Sequence, residues 1–242
     1  MKINVLGINF DNLTLEQAAE KGAEMLREDK FHYVVTPNPE FILSAEKDEA
    51  FRSILNGADL VIPDGIGVVY AAKILGTPLK GRVPGIELAG GLMAEMAKWG
   101  GRVYLLGAKP GVAARAGEKL MERYPGLVVC GARDGYFKEE ESHDIAREIA
   151  QSGADAVFVC LGAPKQERWM ACYGSQTGAR LLLGLGGSLD VFAGTVERAP
   201  ELWRKLNLEW LYRLVKEPKR WKRMARLPLV LLYALGERLR GD

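Results

Sequence analysis

The chain has 242 residues, 48% of them hydrophobic and 28 of them glycine, which suits one large α/β domain or such a domain with an appendage. Its formal net charge of +2 hides an asymmetry: residues 201–242 carry eleven Lys/Arg against five acids, a net +6, and the first 200 carry 22 against 26, a net −4. Three cysteines without CxxC spacing point to reduced thiols, no signal-like leader precedes the first strand pattern, and the longest apolar run (Leu227 to Leu235, interrupted by Pro228) falls well short of the ~20 residues that span a bilayer.

Lys2 to Phe10 alternates and predicts a first strand; Leu13 to Leu26 has helical spacing behind polar Asp11, Asn12 and Thr14. Tyr33-Val34-Val35 is a short apolar strand. Its successor, Thr36-Pro37-Asn38-Pro39-Glu40, holds two prolines that stop the strand and display Thr36 and Asn38 on a rigid turn. One helix is predicted from Glu40 to Leu55. Leu60-Val61-Ile62 then ends a buried strand, and Pro63 and Gly65 flank a single carboxylate, Asp64, before the pattern turns helical again. Two helices surround Gly81-Arg82-Val83-Pro84-Gly85.

The second half repeats the alternation. Val103 to Leu106 runs into Gly107-Ala108-Lys109-Pro110-Gly111 and a helix to Tyr124; Leu127 to Cys130 leads to Arg133-Asp134-Gly135-Tyr136 and a helix from about 140 to 150. Ala156 to Leu161 is wholly apolar and ends in Gly162-Ala163-Pro164-Lys165-Gln166-Glu167. Leu181-Leu182-Leu183 passes into Gly184-Leu185-Gly186-Gly187-Ser188-Leu189-Asp190. Cys160, inside an apolar strand, reads as core. Past Thr195 the character changes: a helix from Leu202 to Val215, a break at Pro218, a basic segment with Trp221, then a last apolar helix from Leu229 to Leu239. Three of the five tryptophans lie here. The expected organisation is an α/β body over 1–195 and a basic, Trp-rich helical appendage over 196–242.

Apolar runs of four to six residues alternating with helices imply a Rossmann-like α/β fold, a mostly parallel sheet covered on both faces. Right-handed connections bring every strand-to-helix loop to one edge. That edge gathers Thr36, Asn38, Asp64, Gly107, Lys109, Tyr136, Lys165, Gln166 and Asp190.

Most familiar chemistry is excluded. There is no GxxxxGK[ST] and no GxSxG, and Gly65-x-Gly67 lacks the third glycine and the acidic partner of a dinucleotide site. The only histidines are His32, at the wrong edge, and His143, on a charged helix; both read as surface residues, so neither a histidine base nor a metal site is expected. No Asp-x-Asp pair is present to hold a divalent ion against a diphosphate, so no metal and no cofactor are expected. A nucleotide leaving group would instead be neutralised by Arg82, Lys109, Lys165, Gln166 and helix N-termini. Each has an ordinary reading beside the functional one. Asp64 could cap the next helix or act as a base. Gly107 to Gly111 could be a plain turn or a loop open to a phosphate, and Arg82 could simply pair with a surface acid. Lys165 in the first turn of a helix opposes the helix dipole, a conflict that an anionic ligand removes.

Seven segments in order carry a resemblance: Thr36 to Glu40, Pro63 to Gly67, Gly81 to Gly85, Leu161 to Glu167, Gly186 to Asp190, Arg198-Ala199-Pro200 and Leu208-Glu209-Trp210-Leu211-Tyr212-Arg213-Leu214. On these the chain resembles the WecG/TagA/CpsF glycosyltransferases throughout its length. The resemblance implies inverting transfer of a sugar from a UDP donor to polyprenyl-diphosphate-linked N-acetylglucosamine. In the teichoic-acid branch the donor is UDP-N-acetylmannosamine and the product is the linkage unit of wall teichoic acid; UDP-N-acetylmannosaminuronic acid and UDP-glucose are alternatives, and a non-catalytic nucleotide-sugar module is a rival. Asp64 becomes the expected base, with Thr36, Asn38, Arg82 and Gln166 around sugar and diphosphate; Tyr136 and Asp190 are placed near the nucleotide by extension. A base must be ionised at neutral pH, so Asp64 is expected not to be deeply desolvated.

A polyprenyl acceptor stays in the membrane. The basic, Trp-rich tail therefore reads as a dock on the anionic inner face of the cell membrane for a cytoplasmic, peripheral protein. The resemblance suggests that Arg213, Arg220 and Arg223 reach the acceptor diphosphate. Ordinary helix packing or a homo-oligomer interface is the plainer use of the tail, and nucleic acid fits poorly with the acidic body.

Overall fold

A computed structural model describes residues 1–216, 221 and 226–241. The chain opens with a hairpin, β1 (Lys2–Val5) and β2 (Ile8–Asp11), where one strand is predicted. Leu6 and Gly7 both take positive φ, 51° and 85°, which makes the tight two-residue reversal that suits a twisted hairpin. The pair forms its own antiparallel sheet, tied to the body where the Asp11 carboxylate accepts from the Val61 N–H at 3.0 Å.

The main sheet holds six strands, β3 (His32–Val35), β4 (Leu60–Val61), β5 (Arg102–Gly107), β6 (Val128–Arg133), β7 (Ala156–Cys160) and β8 (Leu181–Gly184). Their order is β4-β3-β8-β7-β5-β6 and every pairing is parallel. Alternate residues feed two separate cores: Val103, Leu105, Phe158 and Leu183 enter one, and Tyr104, Leu106, Val157 and Leu182 the other. Both faces are thus buried, which is why these strands read as continuous apolar runs.

Helices α1 (Leu15–Met25), α5 (Gly85–Ala97), α6 (Val112–Arg123) and α9 (Ser188–Phe192) cover one face. The other is covered by α2 (Pro39–Lys47), α3 (Glu49–Asn56), α4 (Ile66–Ile74), α7 (Ser142–Ser152) and α8 (Lys165–Tyr173). The single helix expected over 40–55 is two, because Asp48 leaves the helical region and accepts from the Phe51 N–H at 2.9 Å, capping α3. The helix expected over 202–215 is likewise split into α10 (Glu201–Lys205) and α11 (Glu209–Lys216) around Asn207, whose φ is 58°. The last helix, α12 (Arg226–Gly241), lies on α4 and α2 and buries Val230 and Ala234.

His32 is a correction: it is buried, 4% exposed, with Glu28 and Asp59 carboxylates 2.9 and 3.0 Å from its ring nitrogens. Glu28 comes from the turn after α1 and Asp59 from the turn before β4, and the start of β3 lies between them. His143 is exposed as expected. Cys160 is core, and burial pushes its thiol up to about 12.

Candidate active site

Above the carboxyl ends of β4, β3, β8 and β7 lies a cavity of about 470 Å³, in the size range of small-molecule sites. Thr36, Asn38, Asp64, Arg82, Gln166 and Asp190 all line it. These are six of the residues expected at the site, drawn together from five segments that follow the strands or link the helices.

Backbone hydrogen bonds hold those loops in register. The Asp64 N–H donates to the Pro37 carbonyl at 3.1 Å, and the Val83 N–H donates to the Pro63 carbonyl at 2.9 Å. Each proline, with no N–H to satisfy, offers its carbonyl to the next loop. Glycines permit the close approach: a Cβ on Gly65 would sit 3.1 Å from Pro39 Cδ, and one on Gly85 3.0 Å from Thr36 Cγ2. Thr36 is buried and its hydroxyl donates to the Gly184 carbonyl at 3.0 Å, stitching β3 to β8 beneath the cavity. Asn38 caps α2, its carboxamide oxygen accepting from the Glu40 N–H at 2.8 Å.

Asp64 is partly exposed, in line with the expectation that it is not deeply desolvated. The N-cap position of α4 falls on Gly65, which has no side chain to cap with, and Asp64 precedes it.

Three nine-residue helices, α2, α4 and α8, begin at the cavity wall. Their aligned N-termini favour an anionic ligand. Arg82 adds a guanidinium whose side chain is 14% exposed. Its partner is Glu209 on α11, with Nη1 and Oε2 3.4 Å apart; Glu209 also lies 3.9 Å from Arg198 Nε. Arg198 and Arg204 both pair with Glu87 on α5. Arg82, Arg198 and Arg204 thus form one ion-pair network with Glu87 and Glu209, of which Arg82 and Glu209 line the cavity.

The remaining expected residues lie further along the edge. Gly107 ends β5, Lys109 follows it and Tyr136 follows β6; Lys109 and Tyr136 are exposed and none of the three lines the cavity. Lys165 does not line it either. Its ammonium donates to the Gly135 and Phe137 carbonyls at 3.1 and 3.4 Å and sits 4.1 Å over the Phe137 ring. That contact, within the protein, answers the dipole conflict read from its position. Arg220, Arg223 and the Arg213 side chain lie outside the described residues.

Several lining residues were not singled out from the sequence: Glu40, Ser44, Asn207, Glu209 and Trp210. Asp64, solitary in its motif, therefore shares its cavity with other carboxylates. Glu209 was findable as one of five acids among the eleven Lys/Arg of residues 201–242, inside one of the segments that carry the family resemblance.

Fold and cavity together define an α/β enzyme of the doubly wound kind, with a cavity outside the strands' carboxyl ends, where such folds keep their ligands. The family model for the glycosyl transferase WecG/TagA/CpsF family matches residues 3–242, and the chain belongs to that family. It is a glycosyltransferase. Among similar proteins is the N-acetylglucosaminyldiphosphoundecaprenol N-acetyl-beta-D-mannosaminyltransferase of Bacillus spizizenii, 39% identical over 203 residues, covering 84% of this chain and 78% of that protein. The like-named protein of Staphylococcus aureus strain MRSA252 is 36% identical over 234 residues, 96% of this chain and 90% of its own length.

Proposed function

We propose that this glycosyltransferase moves N-acetylmannosamine from UDP-N-acetylmannosamine to undecaprenyl-diphosphate-linked N-acetylglucosamine, with inversion and without a metal, as the linkage-unit step of wall teichoic acid synthesis. The names of its relatives support the sugar and the acceptor. The observation that carries the chemistry is the partly exposed Asp64 carboxylate in one cavity with Arg82 and three helix N-termini. Asp64 takes the proton of the acceptor hydroxyl as that oxygen attacks the anomeric carbon. The bond to UDP breaks on the opposite face, and Arg82 with the helix ends receives the diphosphate charge. Thr36, Asn38, Gln166 and Asp190 shape the wall around the donor. Gly107, Lys109, Tyr136 and Lys165 belong to the nucleotide end.

In this reading residues 1–195 are the catalytic body and 196–242 an appendage that brings the acceptor. Val196, Asn207, Glu209 and Trp210 line the cavity from the appendage side. The appendage also presents Leu206, Val215, Trp221, Leu232 and Leu239, all more than half exposed, beside its net positive charge. Among the described residues no helix is long and apolar enough to cross a membrane. We therefore assign the exposed face to peripheral docking on an anionic leaflet, with Arg213, Arg220 and Arg223 near the acceptor diphosphate.

The test is UDP release from UDP-N-acetylmannosamine with a lipid-diphosphate-N-acetylglucosamine analogue, with and without EDTA, in wild type and Asp64→Asn. Transfer that survives EDTA and is lost in the variant, with UDP binding retained, is expected. Wild-type turnover in the variant would end the base assignment. Deleting the appendage would also strip α12 from α2 and α4, so docking is better tested by Leu232→Asp with Leu239→Asp. This pair should stop sedimenting with phosphatidylglycerol vesicles; unchanged sedimentation would sink the docking assignment.

A further inference from the structure

We propose that Glu167 is a positioning residue for the transfer reaction: its carboxyl holds the carboxamide of Gln166 in the one orientation that serves the donor cavity. The inference rests on the reading above, in which Gln166 meets the donor. The two residues are consecutive in the first turn of α8, and their side chains are 1% and 0% exposed. Gln166 Nε2 donates to Glu167 Oε1 at 2.5 Å, and Gln166 Oε1 accepts from the Gly186 N–H at 3.0 Å. The Gly186 N–H demands an acceptor and the Glu167 oxygen a donor, so the two contacts fix which end of the amide is which. A carboxamide offers two N–H donors and two acceptor lone pairs. One of each is spent here, which leaves one of each on a side chain that lines the cavity.

A purely structural role suits Glu167 poorly. Oε2 of the same carboxyl is buried with no hydrogen-bond partner among the described residues, and burial raises the group to about 7. An unpartnered buried oxygen costs stability, and leucine would occupy similar space without that cost. Among the described residues, the carboxyl's one hydrogen bond to another side chain goes to a cavity-lining residue. Glu167 itself does not line the cavity, so its effect on the reaction passes through Gln166.

Steady-state kinetics in the UDP-sugar donor, with melting temperatures, on Glu167→Leu, Glu167→Gln, Gln166→Ala and the Gln166→Ala/Glu167→Leu double variant tests this. Glu167→Leu should raise donor KM about tenfold, the equivalent of one hydrogen bond to a charged ligand, with a smaller change in kcat and no fall in melting temperature. Glu167→Gln keeps a carbonyl that accepts from Gln166 Nε2 and should return KM to within about threefold of wild type, inside the cost of one neutral hydrogen bond. In the Gln166→Ala background, Glu167→Leu should add nothing. Should Glu167→Leu fail to fold, Glu167→Met stands in for it under the same criteria. An unchanged KM in Glu167→Leu beside a raised KM in Gln166→Ala overturns the positioning role and leaves the site reading standing; so does full additivity in the double variant. Wild-type kinetics in Gln166→Ala overturns the site reading, and the positioning role falls with it.

Discussion

The loop edge of the sheet divides in two at the first turn of α8. On one side, above β4, β3, β8 and β7, the loops are laced by backbone bonds, their glycines admit close packing, and a cavity opens among them. On the other, above β5 and β6, equally glycine-rich loops lie against one another, the Gly135 N–H bonded to the Ala108 carbonyl, and Lys109 and Tyr136 face solvent. Neighbouring residues serve opposite sides: Lys165 donates to the Gly135 and Phe137 carbonyls, and Gln166 accepts from the Gly186 N–H. Composition alone makes the two halves look alike. What separates them is which loops leave room between their backbones.

The largest effect that would sharpen this contrast is at Asp64. Removing a general base costs on the order of 10²–10⁴ in rate, so Asp64→Asn should lose about 10³-fold in kcat with UDP affinity nearly intact. The measurement is single-turnover transfer beside calorimetric UDP binding. A loss confined to UDP affinity would move Asp64 from base to ligand contact.

Glu167 marks the cavity side energetically. Its folded value of about 7 stands above the 4.5 of the unfolded chain, because burial disfavours the carboxylate. A raised value means that the stabilising contribution is complete below about pH 4.5 and is lost as pH climbs through 7. Urea unfolding of wild type should therefore lose about 3 kcal/mol between pH 5 and 8 relative to Glu167→Gln, which does not titrate. Parallel curves for the two proteins would show that the carboxyl is solvated in the fold.

Most of this architecture was legible in the residues. Apolar runs of four to six residues marked the parallel strands because both of their faces are buried, and the right-handed crossover rule put the loops on one edge. Turn chemistry was less legible. The Leu6-Gly7 reversal hides inside an alternating run, and Asp48 and Asn207 break helical periodicity without a proline or glycine at the break. At the site, position along the edge could be read but burial could not. Thr36 and Gln166 look displayed in sequence, yet their polar atoms bond the Gly184 carbonyl and the Gly186 N–H. Glu209 escaped notice because its partner, Arg82, is 127 residues away.

Arg82 comes next in size. Its loss removes a charged hydrogen-bond donor from the cavity, so Arg82→Ala should weaken UDP binding about 10- to 100-fold by calorimetry. The same change takes the closer of two arginines from buried Glu209, so the melting temperature should fall as well. Glu209→Gln separates the two effects: it relieves the buried charge and leaves the guanidinium available to the ligand. UDP affinity within threefold of wild type in Arg82→Ala would place the diphosphate elsewhere on the edge.

The smallest expected effect bears most directly on the division itself. Lys109 and Tyr136 lie on the far half, and an exposed cation or aromatic ring at a ligand's rim contributes ~1 kcal/mol or less. If the nucleotide extends from the cavity across the β7 loop towards β5 and β6, Lys109→Ala and Tyr136→Ala should each raise donor KM about two- to threefold and leave kcat unchanged, since neither touches the reacting centre. The salt dependence of the Lys109 effect is the second readout: a screened surface charge should lose its influence by about 0.5 M salt. A tenfold rise in KM, or a fall in kcat, in either variant would mean that the far loops close onto the substrate, and the two halves would then be one site that the ligand draws together.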